Sequence, residues 1–212
     1  MNTFLPLSPV PSPLLNLAAF CPSTTALGPG SRAALWVQGC PFRCHGCLAP
    51  DWLPFQPASL VSPADLAETI LASGVTGITL SGGEPMLQAQ ALAELVALVR
   101  AKRDLDVICF TGFLYEDLLC DPHAVRLLSF VDLLIDGPYL PELNDGLGLR
   151  GSSNQVFHHL TPRLQGTDFA ALPRKVEVFL SDGQAFLVGV PPKPFQRAFN
   201  AALSQARSYV RS

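Results

Sequence analysis

Short apolar runs alternate with amphipathic stretches along most of this chain. The clearest amphipathic stretch, residues 86–102, repeats leucine and valine at helical spacing, and a further helical stretch extends to about residue 129. Ser62-Pro63 indicates the start of an earlier helix, which ends at Gly74. Alternating strands and helices are typical of a parallel sheet with helices packed against it. The apolar runs predict strands at 14–20, 33–37, 77–80, 106–110 and 131–135.

The two ends of the chain follow different patterns. Residues 1–13 are rich in proline, which predicts an extended N-terminal arm, followed by a single domain at 14–212. Alternating runs around Asp182-Gly183 predict a hairpin, and a final helix is predicted at 194–208. About four strand–helix units are fewer than a closed eight-unit barrel of roughly 250 residues needs. We therefore expect an α/β fold, a partial open (β/α) TIM-like barrel with a C-terminal β-hairpin and helix.

Three cysteines lie close together after the second predicted strand. Cys40, Cys44 and Cys47 have the spacing C-x3-C-x2-C, which brings three thiolates onto one short loop. Three thiolates can bind three irons of a 4Fe–4S cluster and leave the fourth iron open for chemistry. Zinc is an alternative, since His45 or the upstream Cys21 could complete a tetrahedral site. Disulfides fit less well, because three clustered cysteines cannot all pair.

Other candidate residues follow the later strands. Because parallel strands end at one edge of a sheet, we expect these turns and the cysteine loop to form one site. The two glycines of Gly82-Gly83-Glu84 would let a ligand approach the backbone closely, and the carboxylate of Glu84 would suit an ammonium group. Thr111-Gly112 lies at the same edge. Asp136 could accept hydrogen bonds from ribose hydroxyls or only stabilise its turn, and the sequence leaves both roles open.

A long glycine-rich loop at 137–155 follows the last predicted strand of the sheet, and loops of this length are usually functional or mobile. Arg150 could pair with a carboxylate, and Ser152 and Asn154 could donate hydrogen bonds. An ordinary polar surface loop is the alternative. The adjacent His158 and His159 would face opposite sides of a strand, so we expect structural roles for both.

Composition limits the class of protein. The chain has 212 residues, of which 49% are hydrophobic and 15% charged, enough for one domain with a core. A net charge of −3 argues against a nucleic-acid partner, and no apolar run is long enough to span a membrane. No signal peptide is predicted, so we expect a cytoplasmic protein. Cys109 and Cys120 are expected to be buried apolar side chains, and Arg32 to form a structural or surface ion pair.

The cysteine loop resembles the signature of radical SAM enzymes, which also carry a Gly-Gly-Glu element downstream. Gly28-Pro29-Gly30 with Arg32 is similar to the start of glycyl-radical-enzyme activases. The Cys-His-Gly-Cys ending at 44–47 resembles the short activase of anaerobic ribonucleotide reductase. Gly46 stands where many radical SAM enzymes have an aromatic residue, which fits the short activases better. The resemblance covers roughly residues 14–160.

The resemblance implies a 4Fe–4S cluster on the three cysteines and S-adenosylmethionine on the open iron. It assigns Gly82, Gly83 and Glu84 to the methionine end of the cofactor and Asp136 to the ribose. Arg150 and Asn154 would contribute from the long loop, and no catalytic residue beyond the cluster ligands is implied. The implied partners are a glycyl radical enzyme, whose backbone glycine loses a hydrogen atom, and an electron donor such as flavodoxin or ferredoxin.

Two other functions are also compatible with the sequence. A small radical SAM enzyme acting on a metabolite or peptide, similar to the deazaguanine-forming enzyme of queuosine synthesis, shares the short length and the Gly-Gly-Glu-Pro turn. The Cys-His-Gly-Cys ending and the 149–155 loop argue against it. A zinc-stabilised binding module is the alternative outside enzymes.

Overall fold

The computed structural model describes residues 13–181 and 184–192, with residues 195, 198 and 201. The described residues form a seven-stranded sheet with the order β3-β1-β2-β4-β5-β6-β7 and a separate hairpin of β8 and β9. Its strands are β1 Leu15–Thr24, β2 Arg32–Val37, β3 Ser59–Val61, β4 Gly77–Gly82, β5 Asp106–Phe110, β6 Leu133–Asp136, β7 Val156–His159, β8 Val176–Ser181 and β9 Gln184–Gly189. Its helices are α1 Pro63–Ser73, α2 Ala89–Arg100, α3 Tyr115–Leu118 and α4 Pro122–Leu128.

The centre of the sheet is parallel and its margins are antiparallel. Strands β2, β4, β5 and β6 run parallel in that order. The margins are formed by β1 and β3 on one side and by β7 on the other. The parallel centre confirms the predicted alternation of strands and helices. The partial open barrel remains our proposal for how this sheet curves.

Alternate residues of each central strand face opposite sides of the sheet. On β2, Leu35 packs in the core cluster that contains α1, α2 and α4, whereas Trp36 packs in a second cluster with residues of β9. On β5, Val107 faces the helices and Ile108 joins a third cluster with Leu149 and Phe169. Both faces of the parallel strands are therefore covered, one by helices and the other by loops and the C-terminal segment.

Local signals explain where most helices begin and end. The Ser62 side chain accepts a hydrogen bond from the Asp65 amide, and Gly74 ends α1 with a φ of 73°. The helical stretch predicted to reach residue 129 is divided into α3 and α4, because a residue before proline disfavours helical geometry and Pro122 follows Asp121. The helix predicted at 86–102 begins instead as a 3-10 helix, Pro85–Gln88, which leads into α2.

Several other predictions were tested outside the site. The structure adds strand β3, which is not among the predicted strands, and it confirms the hairpin as β8 and β9. Cys109 is buried as predicted, whereas Cys120 is exposed, so that prediction was wrong for Cys120. Across the described residues, no helix is both long and apolar enough to cross a membrane. All but the last residue of the predicted arm at 1–13, the Asp182-Gly183 turn and most of the helix at 194–208 lie outside the described residues.

Candidate functional site

One cavity of about 540 Å³ lies at the C-terminal ends of the parallel strands. The cysteine loop follows β2, the Gly82-Gly83-Glu84 turn ends β4, Thr111-Gly112 follows β5 and Gly137 follows β6. All four segments contribute to the lining of this cavity. These four segments therefore meet at one cavity, as expected of parallel strands that end at the same edge of a sheet.

The base of the cysteine loop is held by backbone hydrogen bonds on two sides. On one side, the amides of Gly39 and Cys40 donate to the carbonyls of Trp52 and Leu53, at 2.9 and 3.0 Å. On the other side, the Glu84 amide donates to the Gly39 carbonyl at 2.9 Å. The loop base is thus fixed against the turn after β4, which brings the thiols and that turn together.

The three cysteines are free, partly exposed thiols that line the cavity. Burial raises the pKa of Cys40 to about 11, and nearby Glu84, Cys44 and Cys47 act in the same direction. Ligation to a metal favours the thiolate form, so a bound metal group would offset this rise. Three partly exposed thiols on one cavity are a donor set that fits a metal group.

A cluster and a zinc site differ in the ligands that they need. In a 4Fe–4S cluster each of the three cysteines binds a different iron, whereas tetrahedral zinc needs a fourth ligand beside the three thiols. Neither proposed fourth zinc ligand lies in the cavity lining: His45 is exposed, and Cys21 is buried in the cluster around Trp36.

Gly82 and Gly83 are required by close contacts with the protein itself. A Cβ on Gly83 would lie 2.2 Å from the Gly39 carbonyl oxygen, and one on Gly82 would lie 2.2 Å from the Val37 amide nitrogen. Gly82 also has a φ of +113°, which side chains disfavour. Both glycines line the cavity as predicted. The structure adds that they also let the turn pack against the base of the cysteine loop.

Glu84 is buried and connects the turns after β4 and β5. One carboxylate oxygen, Oε1, accepts hydrogen bonds from the Met86 amide and the Thr111 hydroxyl, at 3.0 and 2.8 Å. The other, Oε2, accepts from the Gly112 amide at 2.8 Å. Burial raises the pKa of Glu84, and these hydrogen bonds oppose the rise. Because a carboxylate can accept about four hydrogen bonds, the three protein donors leave one acceptor position of Glu84 unused.

Asp136 is the last residue of β6, at the strand end where it was predicted, but its side chain does not line the cavity. Its Oδ2 accepts a hydrogen bond from the Tyr115 amide at 2.6 Å, and its Oδ1 lies 3.0 Å from Nε2 of His158. The geometry favours the turn-stabilising alternative, and the ribose role has no support in this arrangement. His158 contacts the Tyr115 ring and His159 the Phe169 ring, so both histidines have structural contacts.

Arg150 and Asn154 organise the long loop and do not line the cavity. Arg150 pairs with Asp145 at 3.2 Å, and the Asn154 side chain donates to the Pro138 carbonyl at 2.8 Å. The cofactor contacts predicted for these two residues therefore lack support. Gln155, which the sequence analysis did not single out, lines the cavity and donates from its side chain to the Gly137 carbonyl at 2.9 Å.

Arg32 forms the structural ion pair that the sequence analysis expected. Its buried guanidinium contacts Asp106 at 2.5 Å and donates from Nε to the Thr79 hydroxyl at 2.8 Å. Desolvation lowers the pKa of Arg32, while Asp106 opposes that effect. Arg32 begins β2, at the end of the strand opposite to the cysteine loop, so it stabilises the sheet away from the cavity.

Comparison with known proteins identifies similar chains. The family described as 4Fe-4S single cluster domain matches residues 26–158. An anaerobic ribonucleoside-triphosphate reductase-activating protein from Vibrio cholerae is 34% identical over 158 residues, which cover 69% of this chain and 99% of that protein. Proteins of the same name from Escherichia coli K12 and Enterobacteria phage T4 are 32% and 31% identical over 160 and 147 residues. These matches cover 69% and 66% of this chain, and 99% and 92% of the two relatives.

Proposed function

Because the chain belongs to the radical SAM family of anaerobic ribonucleoside-triphosphate reductase-activating proteins, we propose that it installs a glycyl radical on such a reductase. Its cofactors are a 4Fe–4S cluster and S-adenosylmethionine. When bound, the cluster supplies the electron that cleaves S-adenosylmethionine to methionine and a 5′-deoxyadenosyl radical. Transfer of a hydrogen atom from a backbone glycine of the reductase then gives 5′-deoxyadenosine and the glycyl radical.

The contact between the cysteine loop and the turn after β4 is the observation that carries this proposal. Cys40, Cys44 and Cys47 would hold three irons, and the Gly39–Glu84 hydrogen bond keeps the glycine turn beside them. Glu84, buried and with one acceptor position free, would bind the ammonium group of the methionine end. The charged methionine end of S-adenosylmethionine would thus lie beside the cluster, which supplies the electron for cleavage.

The cavity also has an opening that suits a protein substrate. Leu48 lines it and is 54% exposed, and the partly buried Pro141 lines it from the long loop. We propose that the glycine-bearing segment of the reductase enters beside these residues. A metabolite enzyme would be expected to enclose its small substrate instead, since ligand pockets bury most of a small ligand's surface.

We further propose an external electron donor such as flavodoxin or ferredoxin. The match to the 4Fe-4S single cluster domain ends at residue 158 and accounts for one cluster on the three cysteines of the loop. The remaining cysteines, Cys21, Cys109 and Cys120, lie apart from one another in the fold.

Because all six cysteines are free thiols, we propose the cytoplasm, a reducing compartment, as the location.

The test is anaerobic activation of a cognate reductase. Reconstituted protein, dithionite, S-adenosylmethionine and the reductase should yield a glycine-centred radical in electron paramagnetic resonance spectra, with 5′-deoxyadenosine formed in step. The Cys47→Ala variant, prepared in the same way, should give neither product.

Two results would contradict the proposal. If a small metabolite strongly stimulated cofactor cleavage while the reductase gained no radical, the metabolite enzyme would be the better assignment. If reconstituted protein held stoichiometric zinc and took up no iron, the zinc-stabilised binding module would be the better assignment.

A further inference from the structure

The C-terminal part of the chain contributes to the cavity although it lies outside the residues that the family model matches. The family match ends at residue 158, and the Vibrio cholerae relative is aligned over 99% of its own length but only 69% of this chain. We define the C-terminal wall as residues 172–181 and 184–192. The three cysteines and the C-terminal wall line the same cavity. Beyond residue 186, the wall residues in this lining are Leu187, Gly189, Val190, Pro191 and Pro192.

One end of the C-terminal wall is packed against β2. The Phe186 ring meets the Trp36 ring edge to face, with centroids 5.3 Å apart, and Val188 is fully buried in the cluster around Trp36. The carboxylate of Glu177 accepts hydrogen bonds from the hydroxyls of Thr24 and Thr25, each at 2.7 Å. These contacts fix the hairpin on β2, which carries the cysteine loop, and on the end of β1.

The other end is fastened to the long loop by Arg174, whose side chain is 2% exposed. Its Nη1 donates to the Asn144 side chain at 2.8 Å and to the Pro191 carbonyl at 3.1 Å. Its Nη2 donates to the Arg150 carbonyl at 2.7 Å. Further hydrogen bonds run to the carbonyls of Leu147, Gly148 and Gly151, and Nη2 lies 3.7 Å from the Asp145 carboxylate.

These bonds use every donor of the guanidinium group. A guanidinium has five N–H donors, and each of the three nitrogens of Arg174 donates to protein oxygens. Arg174 therefore has no donor left for a ligand, although it reaches the cavity lining. Its contacts hold the 144–151 loop and residue 191 in one arrangement, which is the geometry of a positioning residue.

We propose that the C-terminal wall is a binding element of the cofactor site in this chain, and that Arg174 is the residue that positions it. The inference rests on the proposed function, because it takes S-adenosylmethionine as the ligand of the cavity. Leu187, Val190 and Pro191 present aliphatic surface, which suits the purine base of the cofactor rather than its charged methionine end. The wall spans from β2 to the loop after β6 and thereby shields the nucleoside end from water.

The first test compares Arg174→Gln with Lys175→Gln, which removes the same charge from the adjacent exposed residue. Anaerobic calorimetry on cluster-loaded protein should show that Arg174→Gln weakens S-adenosylmethionine binding by about tenfold, since several buried carbonyls lose their donors. In protein without cofactor, trypsin should cut after Arg150 about tenfold faster in this variant, because cleavage follows the opened population of the loop. Lys175→Gln should match the wild type in both measurements.

A second pair of variants tests the wall without removing hydrogen bonds. Leu187→Trp would fill part of the cavity and should weaken cofactor binding while trypsin still spares Arg150. Leu180→Trp, on the exposed side of the same hairpin at 79% exposure, should bind as the wild type does. Iron content should stay constant in all four variants.

Unchanged cofactor affinity in Leu187→Trp would overturn the proposal even if Arg174→Gln failed to fold. Equal losses of cofactor affinity in Arg174→Gln and Lys175→Gln would also overturn it. The loss would then come from the removed positive charge and not from the positioning contacts of Arg174. The proposed function is judged separately: if wild-type protein bound no S-adenosylmethionine, that function would fail, whatever the trypsin results showed about the wall.

Discussion

Alternate residues of the parallel strands face opposite sides of the sheet, and the two sides are covered in different ways. On β2, Leu35 points into a continuous core filled by α1, α2 and α4, whose buried residues recur at helical spacing. Trp36, the next residue, packs against the C-terminal wall and lines the cavity. The cysteine loop and the long loop line the same cavity, and none of these three segments has helical periodicity. The helical face is close-packed, whereas the opposite face retains the cavity of about 540 Å³.

The residues that stabilise the fold and the residues that form the cofactor site therefore lie largely on opposite faces of one sheet. Helices with regular apolar faces can fill a sheet surface at the density of protein interiors. Irregular segments leave space and bring unpaired backbone groups and thiols toward it. We therefore expect substitutions on the helical face to change mainly the free energy of unfolding, and substitutions on the cavity face to change mainly cofactor content.

The largest expected effect is the loss of the cluster in Cys44→Ala. Removing one of three thiolates leaves two protein ligands, so reconstituted protein should lose nearly all of its iron and all activity. The free energy of unfolding of the protein without cofactor should change little, because Cys44 is only partly buried. The matched control is Cys120→Ala, an exposed thiol beside α4 on the helical face, which should keep about four irons per chain. Full iron content in Cys44→Ala would refute the assigned ligand set.

The converse substitution is Leu92→Ala on the helical face. Leu92 is completely buried in the core, so truncation should lower the free energy of unfolding by about 2–5 kcal/mol. Urea denaturation measures this loss, and iron analysis at low temperature should show that the folded fraction still binds the cluster. If the folded variant bound no iron, the two faces would be coupled, and the separation proposed above would not hold.

The helical face could be predicted largely from sequence, because local patterns determine it. Apolar residues at helical spacing gave the position of α2, and Ser62 with Gly74 gave both ends of α1. The prediction of a continuous helix across Asp121-Pro122 was wrong, because the restriction that a proline places on the preceding residue outweighs apolar spacing. Strand β3 is short and lacks any pattern of its own, and it forms only because β1 offers it a free edge.

The cavity face could be predicted only where residues are close in sequence or end neighbouring strands. The cysteine spacing and the strand-end rule located the three thiols and Glu84. The directions of the side chains of Asp136 and Arg150 depend on His158 and Asp145, contacts that no sequence pattern specifies. The position of Arg174 against the 144–151 loop likewise follows from tertiary packing, since the hairpin signal gives a motif and not its place in the fold.

A smaller effect is expected where the cavity face is packed as tightly as a core. In Gly83→Ala, the new Cβ would collide with the Gly39 carbonyl, which is backbone and cannot move without displacing the cysteine loop. Overpacking of this kind costs about 1–3 kcal/mol, and we expect weaker binding of both the cluster and S-adenosylmethionine. The control is Gly166→Ala, where a Cβ would meet no atom within 4 Å. Normal iron content and affinity in Gly83→Ala would show that the loop base can move freely.

The smallest expected effect is a change in the pH dependence of stability in Glu84→Gln. Burial raises the pKa of Glu84 above its usual 4.5, so the folded protein holds this proton at pH values where the unfolded chain has released it. The stability that Glu84 contributes is therefore complete below pH 4.5 and is lost as the pH rises through the raised pKa. Glutamine does not titrate, so the difference in free energy of unfolding between wild type and variant should favour the wild type less as the pH rises. Asp145 and Glu177, whose pKa values are lowered, contribute the opposite slope, but equally in both proteins. Urea denaturation of cofactor-free protein across this range measures the difference, and a difference independent of pH would show that the carboxylate of Glu84 is not desolvated as its burial implies.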